Sequence, residues 1–305
     1  MLLKFALQEF YDDRDYKNIS QNTIDNYKEI LKQFETYCFE HEIVDVNDIS
    51  KSTVMGYLTE CKRKGNNATT TNSKLQRIRA FLNYLVEEEI IKDNPSNKIK
   101  KAQEDIKIEV FSDYHIKQML NYYRRLKQRD KSFYAYRDYT MIVTFLSSGI
   151  RRTELTNLKW SDFDVTNARL RIFGKSRKHE VIPITDKLIR ELSSYKLYCQ
   201  QNFGEHNLNE YIFTNRENKK LTTNAVQNIF KRLAKVMNFK DVRVSSHTFR
   251  HTFCQKCIQA GMSTFAIQKL MRHSSISVTE RYAAMWGNDL KEQNDKFNPI
   301  NSIDV

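Results

Sequence analysis

Glycine and proline are scarce in this chain, at 7 and 3 among 305 residues. So few chain breakers exclude a fold dominated by tight turns, and long helices with short connections are expected. No apolar run approaches the roughly 18 residues a membrane helix needs, and mean hydropathy is −0.66, so no membrane partner is expected. The opening Met1-Leu2-Leu3-Lys4-Phe5-Ala6-Leu7 has neither the basic start nor the apolar core of a signal peptide, which points to the cytoplasm. Cysteines are few, odd in number and scattered (Cys38, Cys61, Cys199, Cys254, Cys257), which excludes a disulfide framework and fits a reducing compartment. Cys254-x-x-Cys257 follows His247 and His251, but no second pair completes a four-ligand zinc site. Neither metal nor cofactor is expected.

Positive charge is plentiful. The formal net charge is +13, and 34 of the 50 basic residues lie beyond residue 105 against 19 of the 37 acidic ones. A basic surface of this size calls for a polyanion, with nucleic acid first. In the first third, bases concentrate at Lys62, Arg63, Lys64, Lys74, Arg77 and Arg79, among Asn66, Asn67, Thr69, Thr70, Thr71 and Asn72. Amides and hydroxyls donate well to phosphate oxygens, so this run is a candidate DNA contact, with Lys74, Arg77 and Arg79 expected free on their helix.

Apolar residues at three- and four-residue spacing predict helices over 21–40, from Ser50 to Gly65, and over 71–89, the first two opened by Ser20 and Ser50 as caps. Asn94-Pro95 closes this helical unit, residues 1–95. The polar stretch 96–110 reads as a linker, and a second domain over 111–285 opens at Ser112. Tyr139 to Leu146 is a buried helix ending near Gly149. The pattern then alternates: strands are expected over Trp160–Val165, Leu170–Phe173 and Val181–Ile184, with a hairpin at Gly174-Lys175-Ser176-Arg177-Lys178 and Pro183 marking an edge strand. Helices resume at about 186–201, 222–237, 246–260, 263–272 and 277–285. The fold is mainly α with one small antiparallel three-stranded sheet.

The chemistry gathers late. In Ser245-Ser246-His247-Thr248-Phe249-Arg250-His251, the three-residue spacing puts His247 and Arg250 on one helix face, able to hold a phosphate from two sides. His273 and Tyr282 follow, nine positions apart. A phenol, imidazoles and an arginine form a phosphoryl-transfer set that needs no metal. Four blocks in order, Gly149-Ile150-Arg151-Arg152-Thr153-Glu154-Leu155, the Lys175 hairpin, His247 through Thr252, and His273 through Tyr282, make the second domain resemble the catalytic domain of the tyrosine recombinases, the phage integrases and Xer-type enzymes. The first unit resembles that family's helical, SAM-like core-binding domain, including Asn22-Thr23-Ile24 and Tyr27.

The resemblance implies a site-specific recombinase, with Arg151, Lys175, His247, Arg250, His273 and Tyr282 as catalytic residues and Glu154 behind them. Tyr282 would be the nucleophile, His247 its proton acceptor, His273 a donor to a phosphoryl oxygen and Lys175 the acid for the departing 5′ oxygen. His251 is expected to support the helix start. The product would be a 3′-phosphotyrosyl enzyme, and strand exchange would pass through a Holliday junction without ATP. The resemblance further implies double-stranded DNA carrying paired inverted core sites and a tetramer on that DNA. It leaves room for a second recombinase or a directionality factor. The tail 286–305, punctuated by Trp286, Leu290 and Phe297, would dock on a neighbouring protomer. Arg272 stands where relatives usually carry glycine, and is expected to crowd the site or add a phosphate contact. Two other readings stay open: a type IB topoisomerase-like relaxing activity, and a non-catalytic DNA-binding protein of the same fold.

Overall fold

The computed structural model describes residues 1–104, 107–174, 179–273 and 275–286, apart from the side chain of Ser277. The chain forms two compact units, residues 1–107 and 108–305. Among the described residues no helix is long and apolar enough to cross a membrane.

The described residues of the first unit form four α-helices, α1 (Leu3–Tyr16), α2 (Gln21–Glu40), α3 (Lys51–Arg63) and α4 (Ala68–Glu87), with a short 3-10 turn at Val46–Asp48. The caps explain the boundaries. Ser50 and Thr53 form a reciprocal capping box at α3, and Asn67 accepts from the Thr70 amide to open α4. Gly65 ends the α3 turn at φ +90°, a conformation open to glycine alone without strain. Helix α1 was not expected, although Leu3, Ala6, Leu7 and Phe10 are its buried residues at helical spacing. Phe10 meets Tyr27 edge-on at 5.1 Å and Phe81 at 5.6 Å, which ties α1 to α2 and α4.

The expected linker, 96–110, is instead divided between the two units. Ser96 and Ile99 are buried, and both of their carbonyls accept from Arg79 at 2.8 and 2.7 Å. Asn72 fixes Ala102 from both sides, donating to its carbonyl and accepting from its amide at 2.8 Å each. Polar side chains of α4 supply the partners that this segment's backbone requires, so polarity here marks attachment. At the other end, Glu109 accepts from the Arg243 amide within the second unit.

The second unit contains α5 (Asp113–Asp130), α6 (Phe133–Ser148), α7 (Arg152–Asn157), β1 (Phe163–Asp164), β2 (Arg169–Phe173), β3 (His179–Pro183), α8 (Asp186–Phe203), α9 (Thr223–Met237), α10 (Ser246–Gln259), α11 (Thr264–Met271) and α12 (Ile276–Trp286). Helix α6 is buried nearly all round and forms the axis against which α5, α8 and α10 pack. Phe145 of α6 stacks on Phe249 of α10 at 5.9 Å, fixing the helix that carries His247 and Arg250.

The sheet is antiparallel in the order β1-β2-β3, with Phe163 opposite Leu170 and Leu170 opposite Ile182. Leu170 and Ile172 point into the core while their neighbours are exposed, the alternation expected of a sheet covered on one face. Pro183 lies on an outer strand, where its missing N–H costs no ladder bond. The first strand is shorter than expected, because Trp160–Asp162 is a 3-10 turn closed by the Asp162 carboxylate on the Lys159 amide. Hairpin residues 175–178 and the tail 287–305, including Lys175, Lys178, Leu290 and Phe297, lie outside the described residues.

Candidate active site

Helix α6 stops at Gly149, whose φ of +56° turns the chain sharply toward Arg151. A Cβ there would fall 2.5 Å from a ring carbon of Phe253 and 2.8 Å from the Met271 sulfur, so backbone, α10 and α11 meet closely at this point. The Gly149 carbonyl accepts from Nη1 of Arg250.

Arg151 is the residue that opens α7. Its amide donates to Oε2 of Glu154 at 2.8 Å, its Nη1 to Oε1 at 2.7 Å, and its Nη2 to the Arg272 carbonyl at 2.8 Å. Arg272 donates from Nη2 to the same carboxylate at 2.8 Å and from Nη1 to the Leu270 carbonyl at 2.6 Å. One carboxylate therefore holds two guanidinium groups, and the side chains of the inner pair, Arg272 and Glu154, are 1% and 2% exposed. Burial pushes the Glu154 carboxyl up, but Arg272 and the bonds from Arg151 outweigh it and leave it below its ordinary value. The expectation for Arg272 is corrected: it neither crowds the site nor faces it, but underpins Arg151 through Glu154. Its φ of 54° explains why glycine also suits this position.

The backbone of Met271 and Arg272 serves both arginines. Arg250, 6% exposed, donates from Nη2 to the Met271 carbonyl, beside the Arg272 carbonyl that holds Arg151. Three guanidinium groups against one carboxylate leave this cluster with an excess of two positive charges. Burial, with Arg151 and Arg272 close by, depresses the Arg250 pKa. An anion placed there relieves that repulsion, and a phosphodiester offers two non-bridging oxygens that a guanidinium fork can bind together.

The turn after α11 carries His273, whose Nδ1 lies 2.8 Å from Oγ1 of the fully buried Thr279. Burial, followed by Arg250, Arg151 and Arg272, holds His273 down at about 4. Tyr282 of α12 is 7% exposed, with its ring nearly parallel to that of His273 at 6.1 Å and to that of Trp286 at 5.5 Å. Its hydroxyl lies 2.8 Å from Nδ1 of His251. Burial raises the Tyr282 pKa, with Cys254 adding to it. Burial, then His247 and Arg250, hold His251 at about 4. His247 sits exposed in the first turn of α10, whose cap Ser245 accepts from the Thr248 amide at 3.1 Å. Partial loss of hydration, then Arg152 and Arg250, lower its pKa as well.

Arg151, Glu154, Arg250, His273 and Tyr282 thus converge, with His247 at the same helix start. The expectation that His247 meets Tyr282 while His251 only supports the helix is corrected: the phenol contacts His251. Thr279, Gln268 and His251 were missed as partners, although the His273 amide donating to Gln268 follows from the ordinary end of α11. Of the basic run in the first unit, Lys62, Arg63 and Lys64 are exposed, with Lys64 paired to Glu60. Lys74 is not free: it is buried and donates to Gln33 at 2.7 Å and to the Cys61 sulfur at 3.4 Å. Arg77 donates to Asn26, and Arg79 is spent on the 96–99 backbone.

Comparison with known proteins follows the same division of the chain. The model for the phage integrase family matches residues 110–286, and that for the phage integrase N-terminal SAM-like domain matches residues 7–89. Tyrosine recombinase XerC of Leptospira interrogans is 30% identical over 284 residues, covering 93% of this chain and 89% of the relative. Tyrosine recombinase XerD of Oceanobacillus iheyensis is 25% identical over 302 residues, covering 98% and 99%. Among solved structures, the Tn1549 transposon integrase in complex with a circular intermediate DNA superposes with a TM-score of 0.76 at 17% identity, covering 97% of this chain and 99% of that one. XerH recombinase bound to palindromic difH substrate gives 0.74 at 15%, covering 93% and 82%. The chain belongs to the phage integrase family of tyrosine recombinases, enzymes that cleave and rejoin DNA through a tyrosine.

Proposed function

We propose that this chain is a site-specific DNA recombinase in which Tyr282 attacks a phosphodiester held by Arg151 and Arg250. The observation that carries the reading is the two-charge excess of the partly exposed Arg151 and the buried Arg250 and Arg272, in the same side-chain cluster as a tyrosine. As the oxygen attacks, negative charge grows on the phosphoryl oxygens, and fixed guanidinium groups favour that state over the ground state. Removal of either arginine then costs about 3 kcal/mol of transition-state stabilisation, the scale of one preorganised donor. His247 and His273 donate to the phosphoryl oxygens, and Lys175 protonates the departing 5′ oxygen.

The bond formed is a 3′-phosphotyrosyl ester, and the bond broken releases a 5′ hydroxyl. The ester conserves the energy of the phosphodiester, so a 5′ hydroxyl from a second duplex reverses the step and exchanges strands. Exchange at two sites requires several protomers, and the lambda integrase relative, solved as a tetramer bound to a Holliday junction, supports a tetramer on paired core sites here. Lys62, Arg63 and Lys64 are the exposed bases of the first unit assigned to the DNA backbone. The site of action is the cytoplasm.

The test is covalent trapping on a nicked suicide duplex whose site is selected from a randomised pool by the protein's own binding. A slow-migrating protein–DNA band on a denaturing gel is expected from the wild type and not from Tyr282→Phe. The same band from both proteins would move the nucleophile elsewhere. A supercoiled plasmid without the site should stay supercoiled, and its relaxation would favour the topoisomerase reading.

A further inference from the structure

The hydroxyl of Tyr282 lies 2.8 Å from Nδ1 of His251, while His247 stands one turn earlier with its ring 6.3 Å from that of His251. Resting on the reading of Tyr282 as nucleophile, we propose that His251, not His247, accepts the phenolic proton as the Tyr282 oxygen bonds to phosphorus.

Geometry comes first. A base must reach the proton it takes, and 2.8 Å is hydrogen-bond distance, whereas His247 is exposed at the open end of α10. The fold fixes this choice: His247 and His251 are four residues apart and share a face of α10, and α12 packs so that Tyr282 meets the inner one. The third imidazole is engaged elsewhere, with Nδ1 of His273 against Thr279.

The tautomer follows. For the phenol to donate, Nδ1 of His251 carries no proton and Nε2 does. The groups facing His251 are His247 and Arg250 from α10, Tyr282 from α12 and His273 from the turn after α11. Burial and the cationic neighbours keep His251 neutral down to about 4, so it is ready to accept at any ordinary pH. The same weak basicity leaves the proton on Tyr282 in the free protein, since burial raises the phenol. Transfer becomes favourable only as the new oxygen–phosphorus bond withdraws electrons from the phenolic oxygen, with a negative phosphate beside Arg250 to offset the imidazolium. The step balances: the Tyr282 oxygen–phosphorus bond forms, the phosphorus–5′ oxygen bond breaks, the phenolic proton passes to Nδ1 of His251, and the 5′ oxygen takes a proton from Lys175. Rejoining returns each proton.

The experiment is single-turnover cleavage of the pool-selected nicked duplex by full-length wild type and His251→Asn, across pH, alongside ¹⁵N NMR of the wild-type histidines without DNA. Asparagine keeps an acceptor oxygen near the Nδ1 position but cannot take the proton. The expected result is a cleavage rate lower by about 10²- to 10⁴-fold with DNA affinity retained. The residual rate should climb about tenfold per pH unit as hydroxide replaces the imidazole; a merely structural contact would lower the rate equally at every pH. His251 should show the Nε2–H tautomer. His251→Asn cleaving within about threefold of wild type, or an Nδ1–H tautomer in the resting protein, overturns the proposal and leaves the recombinase reading intact. If the asparagine variant does not fold, the tautomer decides alone. Absence of covalent product from wild type on duplexes it binds would instead remove the recombinase reading, and this proposal with it.

Discussion

Glu154 holds both Arg151 and Arg272, and replacing it by glutamine measures how far the arginine cluster depends on it. The carboxylate receives three charge-assisted bonds, from the Arg151 amide, the Arg151 guanidinium and the Arg272 guanidinium, all at 2.7–2.8 Å. Glutamine keeps one acceptor but turns an N–H₂ toward a guanidinium and removes the only negative charge of the cluster, raising its excess from two to three. Breaking a buried ion pair by neutralising one partner costs about 3–5 kcal/mol, because the other charge stays buried without compensation. For a unit of this size that lowers the melting temperature by about 10 °C. The chain has two tryptophans, Trp160 and Trp286, both in the second unit, so selectively excited tryptophan emission in a urea titration follows that unit alone. Adding Arg272→Met to Glu154→Gln should restore most of the loss, since it removes the stranded charge. A cost below about 1 kcal/mol, or no recovery in the double variant, would refute the account of Glu154 as the keystone of the arginine cluster.

Acid should destabilise the second unit before most carboxylates titrate. His251 and His273 stay neutral in the folded state down to about 4, whereas unfolded histidines protonate near 6.5. Between those values the unfolded state binds more protons, so stability is full above about 6.5 and falls as pH drops toward 4, by an amount that solvent screening of these half-buried rings reduces. Urea midpoints at pH 7.5 and 4.5 should therefore differ markedly, and the difference should shrink in His273→Asn. Gly149→Ala should cost about 2–4 kcal/mol in the same titration, from the left-handed φ and the close approach of Phe253 and Met271. Replacing Lys62 or Arg63 by glutamine should reduce the slope of log K against log salt for DNA binding by about 0.9 each. Arg79→Ala should leave that slope unchanged and instead loosen residues 96–99, read by amide hydrogen exchange.

What the sequence discloses about this molecule depends on the range of the interaction concerned. Helix α2, helix α3 and the edge position of Pro183 are set by residues within one or two turns, so periodicity and capping reveal them. The convergence of Arg151, Arg250, His273 and Tyr282 follows from spaced motifs and a family resemblance, because no local rule brings positions 151 and 272 together. The misreadings share a cause. Lys74 and Arg79 look like a basic helix face, yet their partners Gln33, Ser96 and Ile99 lie far away in sequence. His247 and His251 occupy the same face, and only the packing of α12 decides which meets the phenol. Arg272 looked like an obstacle because its carboxylate partner lies 118 positions upstream.

The unbalanced charge of the arginine cluster has a practical side. Small oxyanions of tetrahedral shape are competitors for the same donors, so assay results should depend on which buffer is used and not merely on its ionic strength. Phosphate or sulfate should slow cleavage more than chloride at matched ionic strength, while raising the thermal stability of the DNA-free protein. Purification in phosphate would then yield a sturdy preparation that looks sluggish until it is exchanged into a chloride buffer.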